Sequence, residues 1–330
     1  MDYKRLYNIQ SQQERTIMMK KILIILLKIF GAIVIASVLF IATVFIINVF
    51  SNKSEEGKIK PYGQFVAVDG KNMNVLIQGK GEETVVLLPG YGTPAPALDF
   101  KPLIDELSPL YKVVVIEPFG YGLSDLTEKE RTTENMVSEI HEALQQLNIH
   151  RYTLMVHSIS GIYGLDYVNK YPNEVSAFVG IESSVPTQGG TDDPFPAGTY
   201  KLLKKSGFYR LLMKLAPDQL LAPDVDDETR EQIRMLSLKN TFNPNNLNEG
   251  ENFGPNFKAA ENLSFPKELP VIFFLQANDT ETENWIPLHD EQIKNSVHGK
   301  VMTFEGEHYL HYTRSKEIAE NFRRFMNEIK

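Results

Sequence analysis

The chain has 330 residues, which is enough for one large α/β domain with a small insertion. It contains no cysteine, which excludes disulfides, thiolate metal sites and cysteine nucleophiles. Its formal net charge of −8 gives no electrostatic support for nucleic-acid binding, so we expect no nucleic-acid partner.

A long apolar run near the N-terminus predicts a membrane anchor. Residues 1–28 are polar and become basic towards their end, whereas residues 29–50 are nearly all apolar. A helix of about 22 residues is about 33 Å long, enough to cross the hydrocarbon core of a bilayer. A cleaved signal peptide would have a shorter apolar core followed by a small-residue cleavage site. We therefore predict a single, uncleaved transmembrane helix over residues 29–50.

The basic residues predict the orientation of this helix. Their excess lies before the span, so residues 1–28 are expected in the cytoplasm and the rest of the chain outside the cell membrane. Lys53, Lys58 and Lys60 follow the span and weaken this bias. Residues 51–62 are then expected to form a tether.

Strand and helix patterns alternate after the tether. Residues 64–68 and 72–78 flank Asp69-Gly70, a dipeptide typical of a tight hairpin turn. Short apolar runs then alternate with stretches whose apolar residues recur at helical spacing. This alternation predicts a mostly parallel sheet with helices on both faces. The predicted strands are 84–88, 113–116, 152–156 and 176–181, and the predicted helices between them are 100–107, 136–147 and 162–170.

Ser158 lies between a predicted buried strand and a predicted helix. A sharp strand-to-helix turn lifts a serine hydroxyl above the carboxyl edge of the sheet. The backbone N–H of the next residue, Ile159, then lies at a helix N-terminus, where negative charge is favoured. In the usual pattern for such a turn, G-x-S-x-G, glycine occupies the positions held here by Val156 and Ser160. Ser160 is the alternative nucleophile.

Two glycine-containing loops follow the first two parallel strands. The loop after residues 84–88 reads Pro89-Gly90-Tyr91-Gly92, and the loop after residues 113–116 reads Glu-Pro-Phe-Gly-Tyr-Gly-Leu-Ser-Asp over 117–125. The second loop closely resembles the D-x-x-G-x-G-x-S stretch of the α/β-hydrolase superfamily. With the Ser158 turn, these loops resemble the capped branch of that superfamily, which includes small esterases, lactonases and proline iminopeptidases. The resemblance implies an α/β-hydrolase fold with an oxyanion hole formed by the backbone N–H groups of Tyr91, with Gly92 as second choice, and Ile159.

The same resemblance implies a catalytic triad of Ser158, Asp279 and His308. Asp279 follows a strand over 270–275, and His308 ends a Gly-x-His sequence after the last strand, 300–304. The order Ser, Asp, His along the chain is that of the superfamily. A serine hydroxyl is a poor nucleophile at neutral pH, so it needs an imidazole as general base and an acid that orients the ring. Glu182 is the alternative acid and His311 the alternative base.

Residues 185–262 interrupt the alternation of strands and helices. They contain two helical stretches, 200–215 and 228–238, among segments rich in Pro, Asn and Gly. We predict a mostly helical cap inserted into a core formed by residues 63–184 and 263–330. A cap of this kind shapes the substrate pocket and excludes water.

These features predict a membrane-anchored serine hydrolase. It would cleave an ester, thioester or amide of a small-molecule, lipid or peptide substrate through an acyl-enzyme on Ser158, with no metal or organic cofactor. A serine at this position argues against the haloalkane dehalogenase and epoxide hydrolase branches, where the resemblance leads us to expect aspartate. Two alternatives remain: a catalytically degenerate binding or sensory module, suggested by Val156 and Pro89, and an acyltransferase that uses the same triad.

Overall fold

An eight-stranded sheet organises the computed structural model, which describes residues 3–191, 193–216 and 222–329. The strand order is β1-β2-β4-β3-β5-β6-β7-β8. The strands are β1 Gln64–Val68, β2 Lys71–Gln78, β3 Thr84–Leu88, β4 Lys112–Glu117, β5 Tyr152–His157, β6 Val175–Ile181, β7 Val271–Gln276 and β8 Gly299–Phe304.

The sheet is mixed, with the parallel strands at its centre. β1 and β2 form the predicted hairpin, and Asp69 and Gly70 both adopt the left-handed backbone conformation that its tight turn requires. β2 pairs antiparallel with β4, and all the remaining pairs are parallel. Every residue of β5 is buried, in agreement with its continuous apolar run. The α/β-hydrolase fold predicted from the sequence is confirmed.

Helices cover both faces of the sheet, so one apolar core lies between the sheet and the helices on each face. α4 and α5 pack on one face, and α3 and α13 pack on the other. The helices outside the cap are α1 Tyr3–Glu56, α2 Pro96–Asp99, α3 Lys101–Leu107, α4 Thr133–Gln146, α5 Ser160–Lys170, α11 Trp285–Ile293, α12 Leu310–Thr313 and α13 Ser315–Glu328.

In the part of the chain that the structure describes, five helices form the cap between β6 and β7. They are α6 Ala197–Ser206, α7 Phe208–Leu215, α8 Asp227–Asn240, α9 Pro244–Glu251 and α10 Phe253–Ala260. Gly207, with φ +86°, divides the single helix predicted over 200–215 into α6 and α7. The sequence prediction missed α9 and α10. Asn243 caps α9 by accepting from the N–H of Asn246, and Pro244 occupies the first turn, where proline is tolerated.

Helix α1 is longer than the predicted membrane span. It runs from Tyr3 to Glu56 and is long and apolar enough to cross a membrane. The first six residues of the predicted tether, 51–56, are therefore helical. The rest is bound to the cap, since the N–H of Lys60 donates to Gln232 Oε1 at 2.9 Å. The segment that follows the apolar run thus packs against α8.

Glu117, at the end of β4, connects the sheet edge to three surrounding segments. Its carboxylate is fully buried and accepts four hydrogen bonds of 2.8–3.1 Å. Burial raises the pKa of Glu117, and these hydrogen bonds oppose the shift. The four donors are Tyr62 Oη, Asn74 Nδ2 and the backbone N–H groups of Ala97 and Leu123.

We expect Glu117→Gln to destabilise the fold by about 2–3 kcal/mol, because one oxygen becomes an NH₂ group that faces two buried donors. Urea denaturation of the detergent-solubilised full chain measures the change. Glu106→Gln, on the exposed surface of α3, is the matched control. An equal stability of the two variants would show that the buried network contributes nothing.

Candidate active site

Ser158 lies at the junction of β5 and α5 in a strained backbone conformation. Its φ is +54°, in the left-handed region that L-residues rarely adopt. The end of β6, the loop after it and the first turn of α5 hold Ser158 there. Its N–H donates to Ile181 O at 3.3 Å, and its carbonyl accepts from the N–H groups of Gly161 at 2.9 Å and Ser184 at 2.8 Å. A sharp, rigid turn of this kind presents the serine side chain above the strand ends.

The structure explains how Val156 is accommodated where a glycine is usual. Helix α5 approaches the sheet closely at Gly164, where an added Cβ would lie 2.7 Å from the Phe178 ring and 3.2 Å from Val156 Cγ1. Gly161 supplies a second close approach, because an added Cβ there would lie 2.3 Å from Ser184 O. The space that the usual glycines provide is therefore found further along the helix.

Ser160 has a structural role that differs from that of Ser158. Its side chain is buried, and its hydroxyl donates to Pro89 O at 2.5 Å. The hydrogen bond joins the start of α5 to the loop after β3. This arrangement does not support Ser160 as the nucleophile.

The loop after β3 lies directly against the turn that holds Ser158. Gly90 has no room for a side chain, because an added Cβ would lie 2.7 Å from His157 Nδ1 and 3.0 Å from Ser158 Cβ. Tyr91 follows, and its side chain is held in the cap by a 2.9 Å hydrogen bond from its hydroxyl to Asn246 O. Tyr91 and Ile159, the two predicted oxyanion donors, line the same cavity as Ser158.

His308 faces Glu182 from the loop after β8. The distance between His308 Nδ1 and Glu182 Oε2 is 3.4 Å. Glu182 is fully buried, and its other oxygen, Oε1, accepts from the N–H of Gln276 at 2.6 Å and from Trp285 Nε1 at 3.1 Å. These donors fix the carboxylate and leave Oε2 for the imidazole. Catalytic hydrogen bonds are often long without substrate, so 3.4 Å is compatible with a functional pair.

The predicted pairing of Asp279 with His308 is not found. Asp279 Oδ1 accepts from the N–H groups of Glu281 at 2.8 Å and Thr282 at 2.6 Å, so this carboxylate caps its own loop. Strand order gives the reason, since Glu182 follows β6, the neighbour of β5, whereas Asp279 follows β7, two strands away. The acid next to His308 is the alternative, Glu182.

Two other histidines lie beside this pair. His157 is buried, and its Nε2–H donates to His308 O at 3.1 Å. Burial and the neighbouring His311 and His308 hold the pKa of His157 well below its usual range, so the ring is neutral. His311, the alternative base, is buried with Nε2 2.8 Å from Asp99 Oδ2. Its imidazole is therefore engaged by Asp99.

The cavity at Ser158 has a volume of about 340 Å³, the size of a small-molecule site. Ser158 and His308 both line it, and Phe195, Phe253 and Phe257 of the cap form an apolar part of its wall. No group of three or more His, Asp or Glu side chains in the described part of the chain is arranged to hold a metal ion. The chemistry that this site offers is that of a serine, an imidazole and a carboxylate.

Comparisons with known proteins agree with this fold. Residues 83–205 match the family model of the alpha/beta hydrolase fold. The uncharacterized protein YbdG of Bacillus subtilis strain 168 is 28% identical over 301 residues, which cover 87% of this chain and 93% of YbdG. A haloalkane dehalogenase of Mycolicibacterium smegmatis is 24% identical over 64% of this chain and 67% of its own.

The fold of this chain is the α/β-hydrolase fold. Among solved structures, a bacterial membrane phospholipase A has a TM-score of 0.59 at 15% identity, and the match covers 92% of this chain and 98% of that one. At this identity, the likeness shows the fold alone.

The sequence alone favoured Asp279 over Glu182 as the acid, whereas the structure places Glu182 beside His308. Both carboxylates follow parallel strands, so strand position alone does not separate them. The sequence did contain a signal for Glu182, because β6, the strand that precedes Glu182, is the first strand after Ser158 and pairs directly with β5. The roles of Gly164 in the helix crossing and of Trp285 as a donor to Glu182 were also missed.

We expect replacement of His157 to reduce the loss of stability in acid. The unfolded chain binds a proton at this histidine below about pH 6.5, whereas the folded chain does not. Stability is therefore fully present above that pH and is lost as the pH falls. His157→Gln keeps a donor for His308 O, and the decline in unfolding free energy should become shallower by up to about 1.4 kcal/mol per pH unit.

Urea denaturation of the full chain in detergent, from about pH 7 to pH 5, measures this slope. His298→Gln, at an exposed histidine, is the control and should leave the slope unchanged. The expectation fails if the two variants have the same slope.

Proposed function

We propose that this α/β hydrolase is a membrane-anchored serine hydrolase that cleaves an ester, thioester or amide through an acyl-enzyme on Ser158. The observation that carries the proposal is the pair of His308 and buried Glu182 on the wall of the cavity that holds a strained Ser158. Strained residues in a cavity with such a pair are typical of catalytic sites.

The reaction follows from the positions of these groups. His308 turns Nδ1 towards Glu182, which leaves Nε2 to accept the hydroxyl proton of Ser158 as Oγ attacks the carbonyl carbon. Glu182 holds the ring in the required tautomer and stabilises the imidazolium. The imidazolium then gives its proton to the leaving group, and a water molecule activated by His308 releases the acyl group from Ser158.

The developing oxyanion needs donors that are already oriented. The N–H of Ile159 precedes the first turn of α5, where the helix favours negative charge, and Tyr91 faces the cavity from the loop after β3. We assign the two oxyanion donors to these backbone groups. Loss of one such donor typically removes about 3 kcal/mol of transition-state stabilisation.

The membrane anchor is assigned to helix α1. Its apolar residues are exposed in the structure, as expected of a helix that lies in lipid. The match to the membrane phospholipase A covers 92% of the chain. Residues 57–330 alone are too few for this coverage, so the match includes part of α1. We place the N-terminus in the cytoplasm and the catalytic domain outside, on the basis of the basic residues that precede the apolar run.

One of the two departures from the usual motifs that suggested a degenerate module has a structural explanation, because Gly164 provides the space that Val156 needs. At the other departure, Pro89, the backbone carbonyl accepts a hydrogen bond from Ser160. Acyl transfer would use the same triad with an alcohol or amine in place of water. Product analysis with competing acceptors separates transfer from hydrolysis.

We expect a fluorophosphonate probe to label the wild-type protein and Ser158→Ala to abolish the labelling, because only an activated serine hydroxyl reacts with it. In-gel fluorescence after labelling in detergent measures this. Ser160→Ala is the matched variant at the neighbouring serine and should still be labelled. Labelling that survives in Ser158→Ala would exclude this nucleophile.

We expect Glu182→Gln to lower kcat for a short p-nitrophenyl ester by about 10³–10⁴-fold, because the amide no longer stabilises the required imidazole tautomer. Asp279→Asn should change kcat only slightly, since Asp279 caps its own loop. Steady-state kinetics on the two purified variants compare the carboxylates directly. A larger loss in Asp279→Asn would restore Asp279 as the catalytic acid.

A further inference from the structure

An apolar groove of about 480 Å³ lies between the anchor helix α1 and the cap helix α7. Both helices contribute apolar walls, with Val44 and Ile47 on one side and Leu211 and Met213 on the other. Its rim is charged and includes Arg210 and Lys214. The catalytic reaction proposed above does not use this groove.

Contacts along α1 place the groove at the surface of the bilayer. Phe208, which begins α7, packs on Phe40 at 6.1 Å between ring centroids, so α7 starts beside the apolar run. Two residues later, Arg210 Nε donates to Asn48 Oδ1 at 3.2 Å and its guanidinium pairs with Glu55. Charged groups avoid the hydrocarbon core, so this cluster marks the interface. Residues 29–47 still provide a helix of about 28 Å.

The composition of the α6–α7 hairpin fits an anionic lipid surface. Residues 197–215 contain five basic residues and no acidic residue. The leucines 202, 212 and 215 are exposed on the same hairpin. Basic side chains beside exposed apolar ones are typical of segments that lie in the headgroup region of a membrane.

A second cavity lies between the groove and the catalytic site. It has a volume of about 140 Å³, and its lining includes the polar side chains of Asp99, Ser237 and Thr241. It shares Met213 with the groove, and it shares Thr93 and Tyr309 with the cavity that contains Ser158. The apolar groove therefore adjoins the polar cavity, and the polar cavity adjoins the cavity that contains Ser158.

We propose that the groove holds a hydrocarbon chain of a membrane lipid ester, and this inference rests on the proposed hydrolase function. The polar backbone of the lipid occupies the second cavity, and the scissile acyl group reaches Ser158. Met213 is unbranched and flexible, so it can move aside where the two cavities meet.

The reaction balances as an ordinary hydrolysis. Ser158 Oγ bonds to the acyl carbon, the bond from that carbon to the lipid alcohol oxygen breaks, and the alcohol leaves with the proton carried by His308. Water then attacks the acyl-enzyme and releases a fatty acid and free Ser158. The remaining chain of the lipid stays in the groove during both steps.

The test compares a lipid with a soluble ester. Full-length protein is reconstituted in vesicles of phosphatidylcholine and phosphatidylglycerol that carry a fluorogenic phospholipid, and hydrolysis of a short soluble ester is measured in the same vesicles. Leu211→Trp fills the groove and should lower lipid hydrolysis by about tenfold or more without changing short-ester hydrolysis. Ile47→Trp fills the groove from α1, so an effect common to both variants does not come from damage to α7.

Leu202→Trp is the control, because Leu202 is exposed on the same hairpin and outside the groove. A binding measurement avoids dependence on catalysis. Ser158→Ala protein is illuminated with a phospholipid that carries a photoreactive group on one chain, and labelled peptides are mapped. Labelling should fall on α1 and α7 around the groove and should disappear with Leu211→Trp.

Two results overturn the inference: lipid hydrolysis unchanged in both groove variants, or no photolabelling at the groove. Photolabelling at the groove in a protein whose wild-type form hydrolyses no ester would support the lipid site and contradict the hydrolase function. Loss of short-ester hydrolysis in both groove variants would contradict a separate lipid site and leave the hydrolase function standing.

Discussion

The buried carboxylate of Glu182 is the group on which the arrangement of the site depends. An ionised carboxylate without water is costly unless donors surround it. Here the N–H of Gln276 and the indole of Trp285 bind one oxygen, and His308 faces the other. Three loops, after β6, β7 and β8, are thus drawn to one group. This convergence places an imidazole above the sheet edge at which Ser158 emerges.

The backbone around Ser158 is strained, and its neighbours maintain that strain. Ser158 and Glu182 follow adjacent strands, and both have a positive φ, a backbone conformation that is unfavourable for L-residues. The carbonyl of Ser158 accepts two hydrogen bonds, and the loop after β3 packs against its Cβ at Gly90. These contacts hold the backbone around Ser158 in one conformation, so the proposed reaction would start from a geometry that is already formed.

The sequence sufficed to predict the sheet but not to predict which carboxylate lies beside His308. Continuous apolar runs identify parallel strands because both faces are covered, and all the predicted parallel strands occur. The direction of a loop carboxylate depends instead on competition between local and distant donors. The Asp279 carboxylate accepts from the N–H groups two and three residues ahead, so it faces its own loop. The donors to Glu182 come instead from positions about 94 and 103 residues away. The missed cap helix α9 likewise begins with Asn243-Pro244, a dipeptide that is typical of a loop and here starts a helix.

The contact between the anchor and the cap gives the N-terminal helix a role beyond attachment. Glu55 pairs with Arg210 of α7 and Arg234 of α8, and its side chain is mostly buried by them. Exposed ion pairs contribute little, but this carboxylate is mostly buried between two guanidinium groups, so water and salt screen its ion pairs less. The cap is therefore held at a fixed height relative to the apolar run. If α1 is the proposed membrane anchor, a flexible tether would let the cavity sample all orientations, whereas the docked α1 would present one cap face, with its basic hairpin, to the membrane.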